Sequence, residues 1–193
     1  MNLRKNGWDE AFKKYGKIFT KPQENIPELA KKWKKEKKKR ILDLGCGSGR
    51  HVVYLAKKGF EVYGIDIAKH GIKIAREWLR EEGLKAKLRI GGIYKKLPYK
   101  DNFFDVIICI RTLNHGKIEW IRRAIREMFR ILKPNGYVFV TVHKHQGKKK
   151  IPKNKLYGIK WIAPRTYIIL DGQKKTFHTI DLIKLGLKFW ISG

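Results

Sequence analysis

The sequence predicts an α/β fold in which a doubly wound, mostly parallel sheet carries helices on both faces. Short apolar segments alternate with amphipathic segments from residue 37 to residue 142, as they do in consecutive right-handed strand–helix–strand units. The first apolar segment runs directly into a glycine-rich turn, GCGSG, and the second ends on an acid. The chain of 193 residues is long enough for one such domain with a sizeable core.

The N-terminal segment, residues 1–36, is predicted to be a helical cap. Apolar residues recur at helical spacing on both sides of Pro22. They are Trp8, Ala11, Phe12 and Tyr15 before it and Ile26, Leu29, Ala30 and Trp33 after it.

The core, residues 37–142, is predicted to alternate strands with helices. The strands are RILDL (40–44), FEVYGID (60–66), KAKLRI (85–90), FFDVIICI (103–110) and YVFVTV (137–142). The helices are SGRHVVYLAKKG (48–59), AKHGIKIAREWLREEG (68–83) and KIEWIRRAIREMFRILKPNG (117–136), the last stopped by Pro134 and Gly136. The fourth strand is apolar enough to be covered on both faces.

The C-terminal part, residues 143–193, has a weaker pattern and is predicted to form a lid and a C-terminal element. GIKWIAPRTYIILDG (158–172) fits short strands or a lid, TIDLIKLG (179–186) a short helix, and LKFWI (187–191) a final strand. The sequence has neither an internal repeat nor a Gly/Ser linker, so residues 1–193 are expected to form a single domain.

The charge is strongly positive, with 46 Lys and Arg against 17 Asp and Glu, a formal +29 at pH 7. Much of it lies in KKWKKEKKKR (31–40) and KHQGKKKIPKNK (144–155). One interpretation is a polyanion partner, RNA above all, held by these runs at the top of the sheet with Tyr157 and Trp161 available for stacking. The other is a lysine-rich composition, although thermophile enrichment usually raises Glu together with Lys.

Several classes of protein are disfavoured by composition. No segment approaches the roughly 20 apolar residues of a membrane span, and the N-terminus lacks a signal-peptide core, so a cytoplasmic protein is expected. Cys46 and Cys109 are the only cysteines, which predicts neither a disulfide framework nor a metal site. Both are predicted to be small packing residues, since neither has an activating base nearby in the sequence.

The glycine-rich turn is the predicted ligand site, because ligands of doubly wound sheets bind outside the carboxyl ends of the strands. The Gly-Lys-Ser/Thr of a phosphate-binding loop is absent, and Arg50 occupies the third glycine position of the dinucleotide fingerprint. The observed spacing is Asp-x-Gly-x-Gly-x-Gly, from Asp43 to Gly49, with Asp66 ending the second strand.

This spacing resembles motif I of the class I S-adenosylmethionine-dependent methyltransferases. GIDIA (64–68), KKLPYKDNFFDVIICI (95–110) and EMFRILKPNGYVFVTV (127–142) resemble further segments of the family in the same order, with Asn135 in place of one glycine. The resemblance covers roughly residues 37–142, the predicted cofactor-binding core. The subgroup it resembles is broad and includes small-molecule, tellurite-type and tRNA wobble-uridine methyltransferases.

The resemblance implies S-adenosylmethionine as cofactor. Asp43 would face its amino end, Asp66 would accept both ribose hydroxyls, and Ile67 and Ile93 would enclose the adenine. Gly92 stands where the family usually has an Asp that accepts a hydrogen bond from the adenine amino group. Without this hydrogen bond, the free energy of cofactor binding is expected to be weaker by about 0.5–1.5 kcal/mol. The implied cofactor residues are Asp43, Gly45, Cys46, Gly47, Gly49, Asp66, Ile67, Gly92, Ile93 and Ile110.

The family's sheet has a seventh strand beside strand five, and this chain stops at Gly193 after its sixth candidate. We therefore expect a shortened C-terminal end and an unpaired apolar edge on strand five, open to a partner or to self-association.

Catalytic candidates follow strands four and five. A general base is needed only when the acceptor nucleophile carries a proton, and His115 is the first candidate and His143 the second. The alternatives are a helix-capping or surface role for His115 and a solvated loop position for His143. Asn114 is predicted to cap the following helix. Trp8 and Tyr15 are predicted to fold over the cofactor, with plain core packing as the alternative.

The predicted function is methyl transfer from S-adenosylmethionine to a small-molecule or RNA acceptor. Two alternatives stay open. One is a basic, non-catalytic RNA-binding module on a degenerate methyltransferase fold. The other is a partial chain that functions only with a partner completing its sheet.

Overall fold

The computed structural model describes residues 7–113, 116–141, 157–163, 166–171 and 174–179. The helices are α1 (Gly7–Tyr15), α2 (Asn25–Lys35), α3 (Arg50–Lys57), α4 (Lys69–Glu81) and α5 (Ile118–Ile131). The strands are β1 (Arg40–Leu44), β2 (Glu61–Asp66), β3 (Lys87–Ile90), β4 (Phe104–Ile110), β5 (Leu132–Thr141), β6 (Tyr157–Ala163), β7 (Thr166–Asp171) and β8 (Lys174–Thr179).

Five strands form one sheet in the order β3-β2-β1-β4-β5, and every neighbouring pair is parallel. Leu42 on β1 lies between Tyr63 on β2 and Ile107 on β4. The chain leaves β1 toward β2 and later returns to β1's other side as β4, so the strand order reverses between β1 and β4. The predicted doubly wound sheet is confirmed.

Helices cover both faces of this sheet because successive residues of a strand point to opposite faces. Ile41 packs with the apolar faces of α2, α3 and α4, whereas Leu42 packs with that of α5. Trp33 is the largest side chain in the first layer and is 1% exposed. The two layers bury Ile41, Leu42, Asp43 and Leu44 of β1.

The junction of α5 and β5 differs from the predicted helix end at residue 136. The helix ends at Ile131, and β5 begins at Leu132 opposite Phe104. Tyr137 is the next partner, opposite Val106, so residues 133–136 loop out of the ladder. Pro134 has no N–H to donate, and Asn135 takes a left-handed φ of 59°, which asparagine tolerates.

The remaining strands form a separate antiparallel sheet, β6-β7-β8. Residues 158–172 were predicted to form either short strands or a lid, and the short strands are confirmed. Strand β8 was not predicted, because its sequence KKTFHT contains few apolar residues. The predicted helix at 179–186 and strand at 187–191 lie outside the described residues except for Thr179. In the described part of the chain, β5 pairs with β4 alone. Within the same ranges, no helix has the length and apolar character needed to cross a bilayer.

Asp105 ties the start of β1 to β4 and β5. Its Oδ2 accepts hydrogen bonds from the backbone N–H groups of Lys39 (3.1 Å) and Arg40 (2.8 Å), and its Oδ1 accepts one from Lys133 Nζ (2.8 Å). Burial by itself would raise the pKa of Asp105, but these hydrogen bonds outweigh burial and hold the pKa below its usual value.

We expect Asp105→Ala to lower the free energy of unfolding by about 1–3 kcal/mol at neutral pH, because three hydrogen bonds lose their acceptor. The pKa of Asp105 is lower in the folded protein than its value of about 3.9 in the unfolded chain. The stability that Asp105 contributes is therefore fully present above about pH 3.9, and it is lost as the pH falls through the pKa of the folded state. Chemical denaturation of wild type and Asp105→Ala at neutral pH measures the loss of stability, and the same experiment near pH 3 measures how far that loss shrinks in acid. Asp101→Ala, which removes an exposed partner of Arg130, is the control and should cost less than about 1 kcal/mol. An equal loss for Asp105→Ala at both pH values would contradict the assignment.

Candidate active site

The predicted ligand site lies where β1, β2 and β4 end side by side, at the reversal of strand order. Asp43 is the penultimate residue of β1, and Asp66 is the last residue of β2. The glycine-rich turn connects β1 to α3 across this edge and is tied to β2, because the N–H groups of Gly45 and Cys46 both donate to the Ile65 carbonyl (2.8 and 3.2 Å).

Glycine is required in this turn for conformation and for space. Gly45 and Gly47 have φ values of 80° and 52°. A Cβ on Gly45 would collide with the side chain of Thr112, and a Cβ on Gly47 would lie 2.9 Å from Phe12 Cζ. The turn therefore packs closely against Phe12 and Thr112, and the N–H groups of Gly45, Cys46 and Gly47 are bonded within the fold.

Asp66 is buried, 9% exposed, and holds the turn in place. Its Oδ2 accepts from the Gly47 N–H and its Oδ1 from the Ala68 N–H, both at 2.8 Å. Burial raises the pKa of Asp66, and these two backbone hydrogen bonds oppose the rise. Each carboxylate oxygen has a further lone pair, so the side chain can still accept from a pair of hydroxyls.

Asp43 is 1% exposed, and its Oδ2 has no hydrogen-bond partner among the described residues. His51 Nδ1 is 3.6 Å away, beyond hydrogen-bonding distance. A buried carboxylate oxygen left in this state costs about 1–3 kcal/mol or more. A ligand that places a hydrogen-bond donor or a cation next to Asp43 would therefore satisfy this oxygen.

His51 was missed by the sequence interpretation. Its Nε2 accepts from the Gln23 N–H (3.2 Å), so the neutral ring carries its proton on Nδ1, facing Asp43. The Gln23 side chain in turn accepts from Thr141 Oγ1 (3.3 Å) at the end of β5. A histidine on the apolar face of the helix after the turn was the available signal, but its partners are distant in sequence.

Helix α1 covers the turn through Phe12, not through Trp8 or Tyr15. Phe12 is 5% exposed and lies against Gly47 and Gly71, whereas Trp8 and Tyr15 are 42% and 64% exposed. The helix is held to α4 by Asp9, whose Oδ1 accepts from the His70 N–H (2.7 Å) and whose Oδ2 lies 2.9 Å from His70 Nδ1.

Of the side chains predicted to contact the adenine, the structure leaves only some accessible to a ligand. Ile67 is 38% exposed and available to a ligand, but Ile93 and Ile110 are 5% and 6% exposed and pack into the two core layers. Adenine contacts by Ile93 and Ile110 therefore stay predictions. The Gly91 N–H donates to the Asp66 carbonyl (2.8 Å), which places Gly92 beside the site.

Cys46 and Cys109 are buried packing residues, as predicted. Burial raises the pKa of the Cys46 thiol well above its usual value, and the charges of Asp66 and Asp43 raise it further. Burial likewise raises the pKa of Cys109. Both thiols therefore stay protonated at neutral pH and are poor nucleophiles.

The remaining candidates separate into two groups. His115, His143 and Asn114, together with the basic run 148–155, lie outside the described residues, and their roles stay predictions. The run Lys31–Arg40 is described, and its expected position at the top of the sheet is wrong. It leads into the amino end of β1, where Lys38 Nζ donates to the Asn135 carbonyl (2.8 Å), opposite the end that holds Asp43.

A family model described as a methyltransferase domain matches residues 35–180. The chain belongs to this family, the class I S-adenosylmethionine-dependent methyltransferases. It is 32% identical over 113 residues to norajmaline N-methyltransferase of Rauvolfia serpentina, covering 58% of this chain and 38% of that enzyme. It is 29% identical to ubiquinone biosynthesis O-methyltransferase of Bordetella avium, covering 72% of this chain and 57% of that enzyme.

An S-adenosylmethionine-dependent methyltransferase of Methanosarcina mazei has a similar structure, with a TM-score of 0.60, 27% identity, and coverage of 77% of this chain and 76% of that one. The curated relatives described above are longer proteins, of which this chain spans 38% and 57%.

The residues present fit the family's cofactor, S-adenosylmethionine. The unpaired oxygen of Asp43 suits the ammonium group, and the spare lone pairs of Asp66 suit the ribose hydroxyls. Ile67 offers an exposed apolar surface to the adenine. Gly92 offers the adenine amino group no side-chain acceptor.

We expect Gly92→Asp to raise the affinity for S-adenosylhomocysteine about 2–10-fold, because it supplies that acceptor. A Cβ at Gly92 meets nothing within 4 Å, so the substitution has room. Calorimetric titration measures the gain, with Gly92→Ala as the matched control and S-inosylhomocysteine, which lacks the amino group, as the ligand that should gain nothing. The same gain for Gly92→Ala would contradict the assignment.

Proposed function

We propose that this chain transfers a methyl group from S-adenosylmethionine to a small-molecule acceptor. The observation that supports the proposal best is the unpaired, buried Oδ2 of Asp43, next to a glycine turn that Asp66 holds in place. A buried anion without a partner is expensive in a folded protein and is retained where a ligand completes it.

The cofactor, when bound, supplies a methyl group on a sulfonium, and the neutral thioether that remains after transfer is the leaving group. The protein's contribution is then to orient the reactants and to exclude water. Asp43 and Asp66 would hold the two ends of the cofactor, and Phe12 on α1 covers the turn. His51 lies beside the first of these carboxylates, with its Nδ1 3.6 Å from Asp43 Oδ2.

A general base is part of this proposal only for acceptors whose nucleophile is protonated. His115 and His143 are the proposed candidates, since each follows a strand that ends at the site edge.

A small molecule is favoured over RNA as acceptor by the position of the basic charge. Lys37–Arg40 lies at the amino end of β1, away from the acidic crevice. The relatives reported above are, by name, a norajmaline N-methyltransferase and a ubiquinone biosynthesis O-methyltransferase, and both names refer to small molecules. The formal charge of +29 supports RNA binding as the alternative function.

Calorimetric titration with S-adenosylmethionine and S-adenosylhomocysteine tests the proposal. We expect binding by the wild type and a loss of about 10–100-fold in Asp66→Asn and in Asp43→Asn, because each removes a charged acceptor. Asp43→Asn should not lower the free energy of unfolding, since its oxygen is unpaired in the unliganded fold. This separates a binding defect from a folding defect, and the exposed Asp101→Asn serves as control.

A folded wild-type chain that binds neither compound would contradict the proposal. RNA affinity that falls steeply with salt in the same preparation would then favour the basic binding module.

A further inference from the structure

The amino end of the parallel sheet, opposite the crevice, carries a concentration of positive charge. Helices α2 and α3 both end there, because each is followed by a strand that begins there. A Cβ on Gly59 would lie 3.2 Å from Lys34 Nζ, so the end of α2 lies against the end of α3. On the other side, Lys38 Nζ donates to the Asn135 carbonyl beside β5 (2.8 Å). The basic face at this end consists of Lys34, Lys35, Lys37, Lys38, Lys39 and Lys58, of which all but Lys38 are exposed.

The acids at this end do not compensate the basic face. Each pairs with a cation outside the face, and they are Glu36, Glu61, Glu82 and Asp105. Among the described residues, no carboxylate lies within 4.0 Å of an ammonium group of the basic face. Lys35, Lys37 and Lys39 follow one another two residues apart, with Cα atoms at most about 7 Å from the next. This spacing is within the roughly 8 Å screening length of physiological salt, so a polyanion would relieve their mutual repulsion.

Lys37 stands where the end of a helix usually has glycine. Helix α2 ends in a Schellman motif, in which the N–H groups of Lys37 and Lys38 donate to the carbonyls of Lys34 (3.0 Å) and Trp33 (2.9 Å). Lys37 takes the left-handed φ of 55° that this motif requires and that glycine adopts without steric strain. A lysine is therefore less stable than glycine at this position, as expected where its ammonium group has a use.

The helix macrodipole explains only part of the basic face. It favours cations in the last turn of a helix, which accounts for Lys34 and Lys35 on α2. The effect falls off within that turn, whereas Lys37 and Lys39 lie beyond the end of the helix. The charge of Lys37 and Lys39 is therefore better explained by a partner.

The chemistry of the partner follows from what surrounds these lysines. The apolar side of α2 points into the core, where Trp33 is 1% exposed. Phe60 is 5% exposed, and Lys32 and Lys38 cover the ring of Tyr137 at 5.0 and 5.2 Å from its centre, so neither ring is open to stack on a base. Protein partners and lipid surfaces are anchored largely by apolar and aromatic side chains, whereas a phosphate backbone needs only spaced cations.

We propose that the basic face binds the phosphate backbone of a nucleic acid, independently of its sequence. This proposal goes beyond methyl transfer and does not depend on it, because the basic face and the crevice lie at opposite ends of the sheet. The nucleic acid is bound away from the crevice, as an anchor for the protein and not as the methyl acceptor.

Fluorescence anisotropy with labelled DNA and RNA duplexes of the same mixed sequence tests the proposal, over about 50–200 mM salt. The variant combines Lys35→Gln, Lys37→Gly and Lys39→Gln. We expect wild type to bind both duplexes and the variant to bind them about 10-fold or more weakly. On DNA, the slope of log K against log salt should become shallower by about 2–3, since each phosphate contact contributes roughly 0.9. Thermal unfolding should show a variant no less stable than wild type, because glycine suits position 37.

The matched control removes the same net charge at the crevice end, by combining Lys13→Gln, Lys69→Gln and Lys73→Gln on α1 and the start of α4. We expect it to bind within about 3-fold of wild type with an unchanged slope. Equal weakening in the control, or no binding by wild type, would overturn the proposal. Tighter binding of wild type to poly-L-glutamate or to phosphatidylserine vesicles than to either duplex would instead assign the face to an acidic protein or a membrane. A change of about 10-fold or more in duplex affinity on saturation with S-adenosylhomocysteine would place the nucleic acid at the crevice and also contradict the proposal.

Discussion

The parallel pairing of β1 between β2 and β4 is the constraint on which the site depends. Parallel strands bring their carboxyl ends to one edge, so Asp43 and Asp66 lie at the same edge of the sheet although they are far apart in sequence. The pairing is secured from both faces, because Ile41 and Leu42 point into separate apolar layers. Displacing β1 by one residue would turn Asp43 to the opposite face of the sheet.

Two carboxylates at opposite ends of the sheet differ in how well their oxygens are satisfied. Asp105 at the amino end of the sheet has three hydrogen-bond donors, whereas Asp43 at the carboxyl end has an oxygen with none. Buried polar groups are normally satisfied. The contrast within one sheet indicates that the fold is stabilised at one end and kept ready for ligands at the other.

The lysine-rich run 31–40 lies at the amino end of β1 and takes part in packing. Lysines of the run 31–40 pack on aromatic rings, as Lys38 does on Tyr137 and Lys34 on Phe60, so they contribute to packing as well as to solubility. Arg50, by contrast, begins α3 at the carboxyl end of the sheet, directly after the glycine turn. Net charge alone therefore says little about which surface meets a partner.

The sequence by itself determined the five parallel strands and their helices, the glycine turn, and the two acids, because hydrophobic periodicity and glycine spacing are local properties. It did not reveal His51, Phe12 or Thr141 as parts of the site, because the residues that hold them in place are 28 to 118 residues away and no local pattern records such contacts. The sequence analysis also placed Lys31–Arg40 at the wrong end of the sheet. The order of segments along the chain does not show at which end of the sheet the run before β1 lies. Only the tertiary structure, through β1's two parallel neighbours, decided which side chains share the crevice.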